Sequence, residues 1–273
     1  MKILGIDFTS APSTAKPLTC AVCDLDCERL MIKKIESWNS FAGFESLLTQ
    51  PGPWTAVVDF PIGQPRRLVK ALGWPGVWDE YVKLVGQMSK SEFVELIGEY
   101  RAKQPRGDKH HLRATDKLAG SCSPMMLYGV PVGKMFFEGA PRLQQAGVSV
   151  LPCRPNESGR VVIEGYPALV VRQLVGKLSY KSEKVKQTAH TQARRQILKR
   201  CETSLLTDAY GVSVQFATKL GQHVVADAKG DSLDSVLCAV QAAAFALNNQ
   251  IAPSIPPQAD PLEGWIVDPS YAT

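Results

Sequence analysis

Short apolar runs dominate the first sixty positions of the chain and predict strands. Residues 2–8 form a nearly continuous apolar run, which is typical of a strand buried on both faces. Residues 18–25 and 29–37 are two further strand-like segments, and the short polar link between them predicts an antiparallel hairpin. Residues 54–59 give a fourth strand. The opening of the chain therefore predicts the sheet of an α/β protein.

A helix is predicted between the third and fourth strands, over residues 41–49, with Ser40 at its N-cap position. A helix in this place allows the fourth strand to return parallel within the same sheet. Asp7 and Asp59 would then both lie at the C-terminal ends of buried strands. In open α/β sheets that edge is where binding sites are usually built.

The middle of the chain, from 66 to about 147, is predicted to be a largely helical insertion in a single domain spanning residues 1–273. Helical spacing of apolar positions runs over 77–87 and 91–103, and Ser123 with the proline after it is expected to open another helix. The polar, basic residues 104–120 between them predict a loop.

The last part of the chain returns to strands and then to one long helix. Residues 148–151 and 160–164 predict short strands. Residues 231–247 carry two acids in the first turn and then an apolar body, which predicts a helix. The proline-rich residues 251–261 are expected to run extended over the surface.

Composition narrows the class of protein. Hydrophobic residues make up 45% and charged residues 21%, which is ordinary for a globular chain. The apolar stretches are too short and interrupted for a transmembrane helix, and Asp7 stands where a signal peptide needs apolar residues. We therefore expect a cytoplasmic protein without a membrane partner. The net charge of +5 permits a polyanionic partner but does not demand one.

Seven cysteines are spread thinly along the chain. Cys20, Cys23 and Cys27 have a spacing that resembles metal ligands, but no matching Cys or His pair follows at zinc-finger distance. The pattern around them alternates like a strand. Reduced, structural thiols are therefore the favoured interpretation, with a zinc site as the minor alternative.

Four acids stand at the end of an apolar strand or inside an apolar helix, where they are costly to bury unless paired or bound to metal. They are Asp7, Asp59, Glu164 and Asp234. Mg²⁺ and Mn²⁺ prefer such hard oxygen ligands, and two such ions about 4 Å apart can stabilise both oxygens of a phosphoryl transfer. The pattern predicts a site for two Mg²⁺ or Mn²⁺ ions in which these four residues are both ligands and catalytic residues.

Asp7, Asp59 and the nearby Asp231 also have purely structural interpretations, whereas helix capping explains Asp234 less well. Asp231, three residues before Asp234, is well placed to cap the last helix. Asp59 starts a turn in which its carboxylate can accept backbone N–H groups. Asp7 can bond the loop at Thr9 and Ser10. The metal site rests on four acids occurring together on the expected elements.

Several motifs, taken in order, resemble one known family over nearly the whole chain. They are Gly5-Ile6-Asp7, Asp59-Phe60-Pro61-Ile62-Gly63-Gln64-Pro65-Arg66, Glu164-Gly165-Tyr166-Pro167, Asp231-Ser232-Leu233-Asp234-Ser235 and Glu263-Gly264-Trp265-Ile266. The sequence is similar to domain of unknown function family 429, whose members are described as predicted nucleases of the ribonuclease H-like superfamily. Ser235 stands where alanine is commoner in that family.

The resemblance implies a five-stranded mixed sheet with helices on both faces. It places Asp7 on the first strand, Asp59 on the fourth and Asp234 on the final helix, which are metal-ligand positions in related nucleases. Glu164 resembles the family's intermediate acidic position. Arg113 falls in a recurring Arg/Asp element and is expected to contact substrate phosphate.

Basic residues are expected near the carboxylate edge if the partner is nucleic acid. Arg66 follows Asp59 closely, and residues 177–200 are the most basic part of the chain. Such charge runs are also typical of solvated helix faces. Apart from Tyr180, aromatic residues that would stack on bases are scarce near this run, so sequence-specific recognition is not indicated.

Three functions are compatible with these observations. The first is a metal-dependent nuclease that hydrolyses RNA or DNA. The second is a non-catalytic scaffold of the same fold that binds nucleic acid or protein. The third is a nucleotide-dependent phosphotransferase, because residues 7–10 loosely resemble a phosphate-binding loop. The third lacks the glycine-rich adenosine motif and the second copy of the core that such enzymes normally carry.

Overall fold

The computed structural model describes residues 1–182, 188–248 and 254–271. Within these residues a mixed seven-stranded sheet has the order β5–β6–β4–β1–β2–β3–β7. The strands are β1 (Lys2–Asp7), β2 (Leu18–Asp26), β3 (Arg29–Trp38), β4 (Trp54–Val58), β5 (Ser149–Val150), β6 (Arg160–Glu164) and β7 (Ser213–Phe216). The helices are α1 (Phe41–Leu48), α2 (Arg66–Ala71), α3 (Trp78–Val85), α4 (Lys90–Ala102), α5 (Ala114–Ala119), α6 (Val132–Ala146), α7 (Pro167–Val175), α8 (Thr188–Cys201), α9 (Ser204–Tyr210), α10 (Leu220–Ala226) and α11 (Asp231–Asn248).

Strand directions agree with the sequence at the centre of the sheet. β2 is antiparallel to both β1 and β3, which confirms the hairpin, and β4 returns parallel to β1. β6 is parallel to β4, and β5 is parallel to β6. The carboxyl ends of β1, β4 and β6 therefore lie at one edge of the sheet.

The sheet has seven strands in the described part of the chain, two more than the five expected. Relative to the five strands that the family resemblance implies, the additional ones are β5, which lies within the predicted strand 148–151, and β7; both are short and lie at opposite edges. β7 pairs parallel with β3 over four residues, of which only Val214 is buried. An edge strand with one buried side chain lacks the apolar run that marks the central strands, so its sequence gives little signal.

The middle of the chain is helical as expected, but two local predictions are wrong. Ser123 does not open a helix, because its hydroxyl donates to the carbonyl of His111 at 2.6 Å and accepts from the N–H of Met125, which holds a turn. The next helix, α6, begins at Val132. Conversely, the predicted loop 104–120 contains α5, in which the polar residues Thr115 and Asp116 are buried rather than solvated.

Helices cover both faces of the sheet and form two cores. Leu4 and Ile6 of β1 belong to one core with Tyr81 and Phe136 of the middle helices. Ile3, on the opposite face of the same strand, belongs to the other core with helices α7 to α11. The alternation follows the two-residue period of a strand. The middle helices thus extend the core beneath them.

The close approach of α11 to β1 depends on Gly5. A Cβ atom at this position would overlap the carbonyl oxygen of Ser235 and the backbone nitrogen of Ala239. Because the clash would be with helix backbone, a side-chain rotation does not relieve it. Glycine at position 5 therefore lets the first turns of α11 lie directly on the strand.

The cysteines do not form a metal site. Cys20 and Cys23 are buried in opposite cores, while Cys27 is exposed at the hairpin turn. All seven cysteines of the chain are free thiols. The geometry therefore favours the structural interpretation of the Cys20, Cys23 and Cys27 spacing.

Ser40 occupies the N-cap position of α1, but its side chain makes no capping hydrogen bond. Of the predicted extended tail 251–261, residues 251–253 lie outside the described residues, and a turn closes from Pro256 to Ala259. No helix in the described ranges has both the length and the apolar character to cross a membrane.

Substituting Gly5→Ala is expected to destabilise the protein by at least about 3 kcal/mol, since overpacking against rigid neighbours exceeds the usual cost of added volume. Urea denaturation followed by circular dichroism measures the change. Gly98→Ala is the matched control, because Gly98 lies in α4 with open space around it. There the same change is expected to stabilise by about 0.5–1 kcal/mol. If both substitutions change the free energy of unfolding equally, α11 does not pack on β1 as closely as described.

Candidate functional site

Asp7 and Asp59 lie side by side at the carboxyl edge of the sheet. Asp7 is the last residue of β1, and Asp59 directly follows β4. The two strands are parallel with Ile6 opposite Val58, and the N–H of Asp59 donates to the carbonyl of Ile6 at 2.9 Å. The register of two buried strands thus sets the separation of these carboxylates.

Asp234 joins them from the first turn of α11, which lies across β1. One carboxylate oxygen from each of Asp7, Asp59 and Asp234 lies within 4.8 Å of the other two. No other group of three or more potential metal ligands comes this close within the described ranges. We call these three residues the aspartate triad. The sequence prediction that they converge is therefore confirmed.

The aspartate triad is electrostatically strained by burial and like charge. Burial, with the charge of Asp234 next, raises the pKa of Asp7 well above its ordinary value. The same two causes raise the pKa of Asp59 to about 7. Asp7 and Asp59 therefore bind protons more readily than ordinary aspartates do.

A lysine that the sequence did not single out contacts the aspartate triad. The Lys181 ammonium forms an ion pair with Oδ2 of Asp234. Burial lowers the pKa of Lys181, but Asp234, Asp7 and Asp59 outweigh it and raise the pKa above its ordinary value. Lys181 therefore supplies one positive charge to three acids.

Tyr180 holds the other oxygen of Asp234. Its hydroxyl donates to Oδ1 of Asp234 at 2.6 Å. Burial and the nearby Asp234 raise the pKa of Tyr180, so the phenol stays protonated and remains a donor. Tyr180 and Lys181 together fix the orientation of this carboxylate.

The backbone around Lys181 is anchored on both sides. Nη1 of the buried Arg194 donates to the carbonyl of Tyr180 at 2.6 Å, and the N–H of Ser182 donates to the carbonyl of Ala228 at 2.9 Å. The basic run 177–200 therefore contributes at least two residues to the site rather than only a solvated face. Its Lys184 and Lys186 lie outside the described residues.

Glu164 is not brought into the triad, although it ends the neighbouring strand β6. Its Oε2 accepts from the N–H of Ile62 at 3.0 Å and from Nη1 of Arg113 at 2.7 Å. Burial raises the pKa of Glu164, while Arg113 acts in the opposite direction. The carboxylate already has a charged partner, so we remove it from the metal-ligand set.

Arg113 is a buried structural ion-pair residue. It is 1% exposed, and its guanidinium also donates to both oxygens of Asp116, at 2.7 and 3.0 Å. Burial lowers the pKa of Arg113, but Glu164 and Asp116 raise it well above its ordinary value. Because its guanidinium is paired with two acids, Arg113 is not free to contact a phosphate as expected.

Arg66 is likewise engaged within the protein. Its guanidinium pairs with Asp260, and its N–H donates to Oε1 of Glu263 at 2.7 Å. His111, in the basic loop, is buried rather than exposed, and its Nε2 lies 2.8 Å from the hydroxyl of Tyr100. Arg66 thus ties α2 to the C-terminal segment, whereas His111 ties the basic loop to α4.

Asp231 does not serve as the expected side-chain cap. It is the first residue of α11, and the carboxylate that accepts the N–H of Ser232, at 2.8 Å, belongs to Asp227. Asp231 lies near the triad, where it adds to the negative charge around Asp7. It is not one of the three converging ligands.

A cavity of about 400 Å³ opens beside the aspartate triad, and we call it the chamber. Asp59, Asp234 and Lys181 lie at its wall. Most of the remaining wall is apolar and comes from the segment after β4, from α6 and from the start of α7. The acids thus face a space large enough for a small molecule.

Residues 5–260 match the model of a protein family of unknown function, DUF429. The chain belongs to the DUF429 family. All three residues of the aspartate triad fall within the matched range, as does Lys181. No curated protein and no solved structure matches this DUF429 chain.

Substituting Asp59→Asn in the DUF429 chain is expected to raise the unfolding free energy relative to wild type, and more so as the pH rises. A carboxyl whose folded pKa is raised from 3.8 to about 7 loses stability across that window, whereas asparagine has no proton to lose. At pH 7 without divalent metal we expect a melting temperature about 2–4 °C higher, for a gain of about 1 kcal/mol. If the difference in melting temperature between Asp59→Asn and wild type is constant from pH 4 to pH 7, ionised Asp59 does not destabilise the folded protein.

Substituting Arg113→Ala is expected to cost about 3–5 kcal/mol, because it leaves two buried acids without their cation. Urea denaturation at pH 7 measures the loss. Arg106→Ala is the matched control, since Arg106 is an exposed arginine of the same region. If both variants have the same urea midpoint of unfolding as the wild type, burial of Glu164 and Asp116 does not require the charge of Arg113.

Proposed function

We propose that this protein is a divalent-metal-dependent nuclease that hydrolyses phosphodiester bonds of RNA or DNA. The observation that carries the proposal is the aspartate triad. Three carboxylates, of which Asp234 is fully buried and Asp59 half-buried, converge from β1, from the end of β4 and from α11 to within 4.8 Å. Such a group is costly without a compensating cation, and function is a common reason for retaining it.

The residues present fit Mg²⁺ or Mn²⁺. Carboxylate oxygens are the hard ligands that these ions prefer, and the ions commonly keep further positions for water and substrate phosphate. When bound, such an ion supplies Lewis-acid activation and neutralises charge on the phosphate. Asp7, Asp59 and Asp234 would hold it, without Glu164. The raised pKa values of Asp7 and Asp59 also favour a ligand that replaces their protons.

The fold supports a ribonuclease H-like core as part of the proposal. Five neighbouring strands, in the order β3–β2–β1–β4–β6, combine two antiparallel pairs with two parallel ones. The final helix packs on β1 and brings the third acid to the carboxyl edge. This is the arrangement of acids that the family resemblance implies. β5 and β7 are additions at the two edges.

Lys181 is the residue we assign to the substrate phosphate. Its ammonium lies at the aspartate triad, on backbone anchored through Tyr180 and Ser182. With a divalent ion held by the acids, the Lys181 ammonium would no longer be needed as the counter-charge of Asp234 and would be placed to pair with a phosphate oxygen. Tyr180 would keep Asp234 oriented during this exchange.

A non-catalytic scaffold is the second candidate, and the Lys181–Asp234 ion pair favours it. In a scaffold, Lys181 would be the permanent counter-charge of the aspartate triad, and the acids would need no metal. The two candidates make opposite predictions for metal binding.

For a nuclease, Asp7→Asn, Asp59→Asn and Asp234→Asn should each reduce Mn²⁺-dependent cleavage of labelled RNA or DNA by at least about 100-fold, because each removes a charge that holds the ion. Each should also abolish the rise in melting temperature that Mn²⁺ causes in the wild type. Single-stranded and duplex substrates are compared in the same gel assay.

Asp231→Asn is the matched control, because Asp231 lies on the same turn of α11 but outside the triad. It should keep both cleavage and the Mn²⁺ effect. A wild-type protein that neither cleaves these substrates nor responds to Mn²⁺ would exclude the nuclease and support the scaffold.

A further inference from the structure

The chamber has an apolar body and a charged end. Its apolar wall includes Phe60, Val132, Met135, Tyr166, Leu178 and Ile266. Asp59, Asp234 and Lys181 lie in its wall where it adjoins the triad. A ligand that fills the chamber therefore needs a flat or bulky apolar part joined to a group that metal and ammonium attract.

The other charged groups in the chamber wall are already paired within the protein. Arg113 and Glu164 both line it, but they are paired with each other, and Arg113 is also paired with Asp116. The triad end is thus where an anionic group of the ligand finds a cation. This arrangement selects for one anionic end rather than for a ligand charged along its length.

A few neutral polar groups interrupt the apolar wall. They include Ser121, Ser179 and Cys122. The hydroxyl of Ser121 donates to Asp116 at 3.0 Å, which leaves its oxygen as an acceptor. Small numbers of neutral donors and acceptors in an apolar cavity are suited to the polar edge of a heterocyclic ring.

We propose that the chamber binds the base of a nucleotide whose phosphate lies at the aspartate triad and Lys181. The ring of Tyr166, which is only partly buried, is suited to contact with the face of a base, and such contact is sequence-tolerant because every base has a π-face. The position of the phosphate rests on the proposed metal site, whereas the base pocket rests on the chamber itself.

The same base can come from a free nucleotide or from the end of a chain. Val130 lines the chamber and is also 59% exposed, so the apolar surface continues from the chamber to the outside. The paired state of Arg66 and Arg113 removes two of the residues expected to follow a long backbone. Recognition is therefore concentrated on one nucleotide.

The test compares adenosine 5′-monophosphate with ribose 5-phosphate, which lacks the base, by calorimetry with Mn²⁺ and again with EDTA. We expect the nucleotide to bind at least tenfold more tightly in Mn²⁺ and to remain the tighter ligand in EDTA. Equal affinities under both conditions would overturn the proposal. A short oligonucleotide and its version with an abasic terminal residue distinguish a chain end from a free nucleotide.

Ala168→Phe fills the chamber from α7 and should remove the advantage of the nucleotide over ribose 5-phosphate. Leu169→Phe, at the next position but outside the chamber wall, should leave the advantage unchanged. Val132→Asp is a second variant that places a charge in the apolar wall, in case Ala168→Phe does not fold. An advantage that survives both chamber variants would overturn the proposal.

The result separates the base pocket from the nuclease function. If the nucleotide keeps its advantage in EDTA but no oligonucleotide is cleaved in Mn²⁺, the nuclease proposal fails and the base pocket stands. If oligonucleotides are cleaved equally well with and without a terminal base, and the two small ligands bind equally, the nuclease stands and the base pocket fails.

Discussion

The contact between β1 and α11 at Gly5 is the constraint on which the site depends. Because residue 5 has no side chain, the helix backbone at Ser235 and Ala239 lies directly on the strand. This contact places Asp234 beside Asp7, two residues further along the strand. Any larger residue would move the helix outward and would separate the acids that the sheet edge has positioned. Packing of the two backbones therefore sets the geometry of the chemistry.

The cost of that geometry is three carboxylates, buried or half-buried, in one small volume. The protein offsets part of it with Lys181 and with the hydroxyl of Tyr180, both directed at Asp234. Elsewhere it handles buried acids differently, since Arg113 fully engages Glu164 and Asp116. Two neighbouring groups of acids thus differ in charge balance. Glu164 and Asp116 share one buried arginine, whereas the three acids of the aspartate triad share one lysine.

The sequence predicts the centre of the fold and three of the four acids, because buried strands are long apolar runs and their ends share an edge. It does not predict the partner of Glu164, because Arg113 reaches that residue only through tertiary packing. Lys181 is missed for the opposite reason: it is one of many lysines in a basic run, and only the anchored backbone around it makes it distinctive. β7 gives too little apolar pattern to be seen.

The aspartate triad also has an order of assembly. Asp7 and Asp59 are neighbours as soon as β1 and β4 pair, but Asp234 arrives only when α11 docks on the sheet. Every partly folded chain in which α11 is still free lacks the third acid and escapes the full repulsion among the three. The full repulsion among the three acids therefore arises only when α11 docks, and the same step completes the core on that face of the sheet.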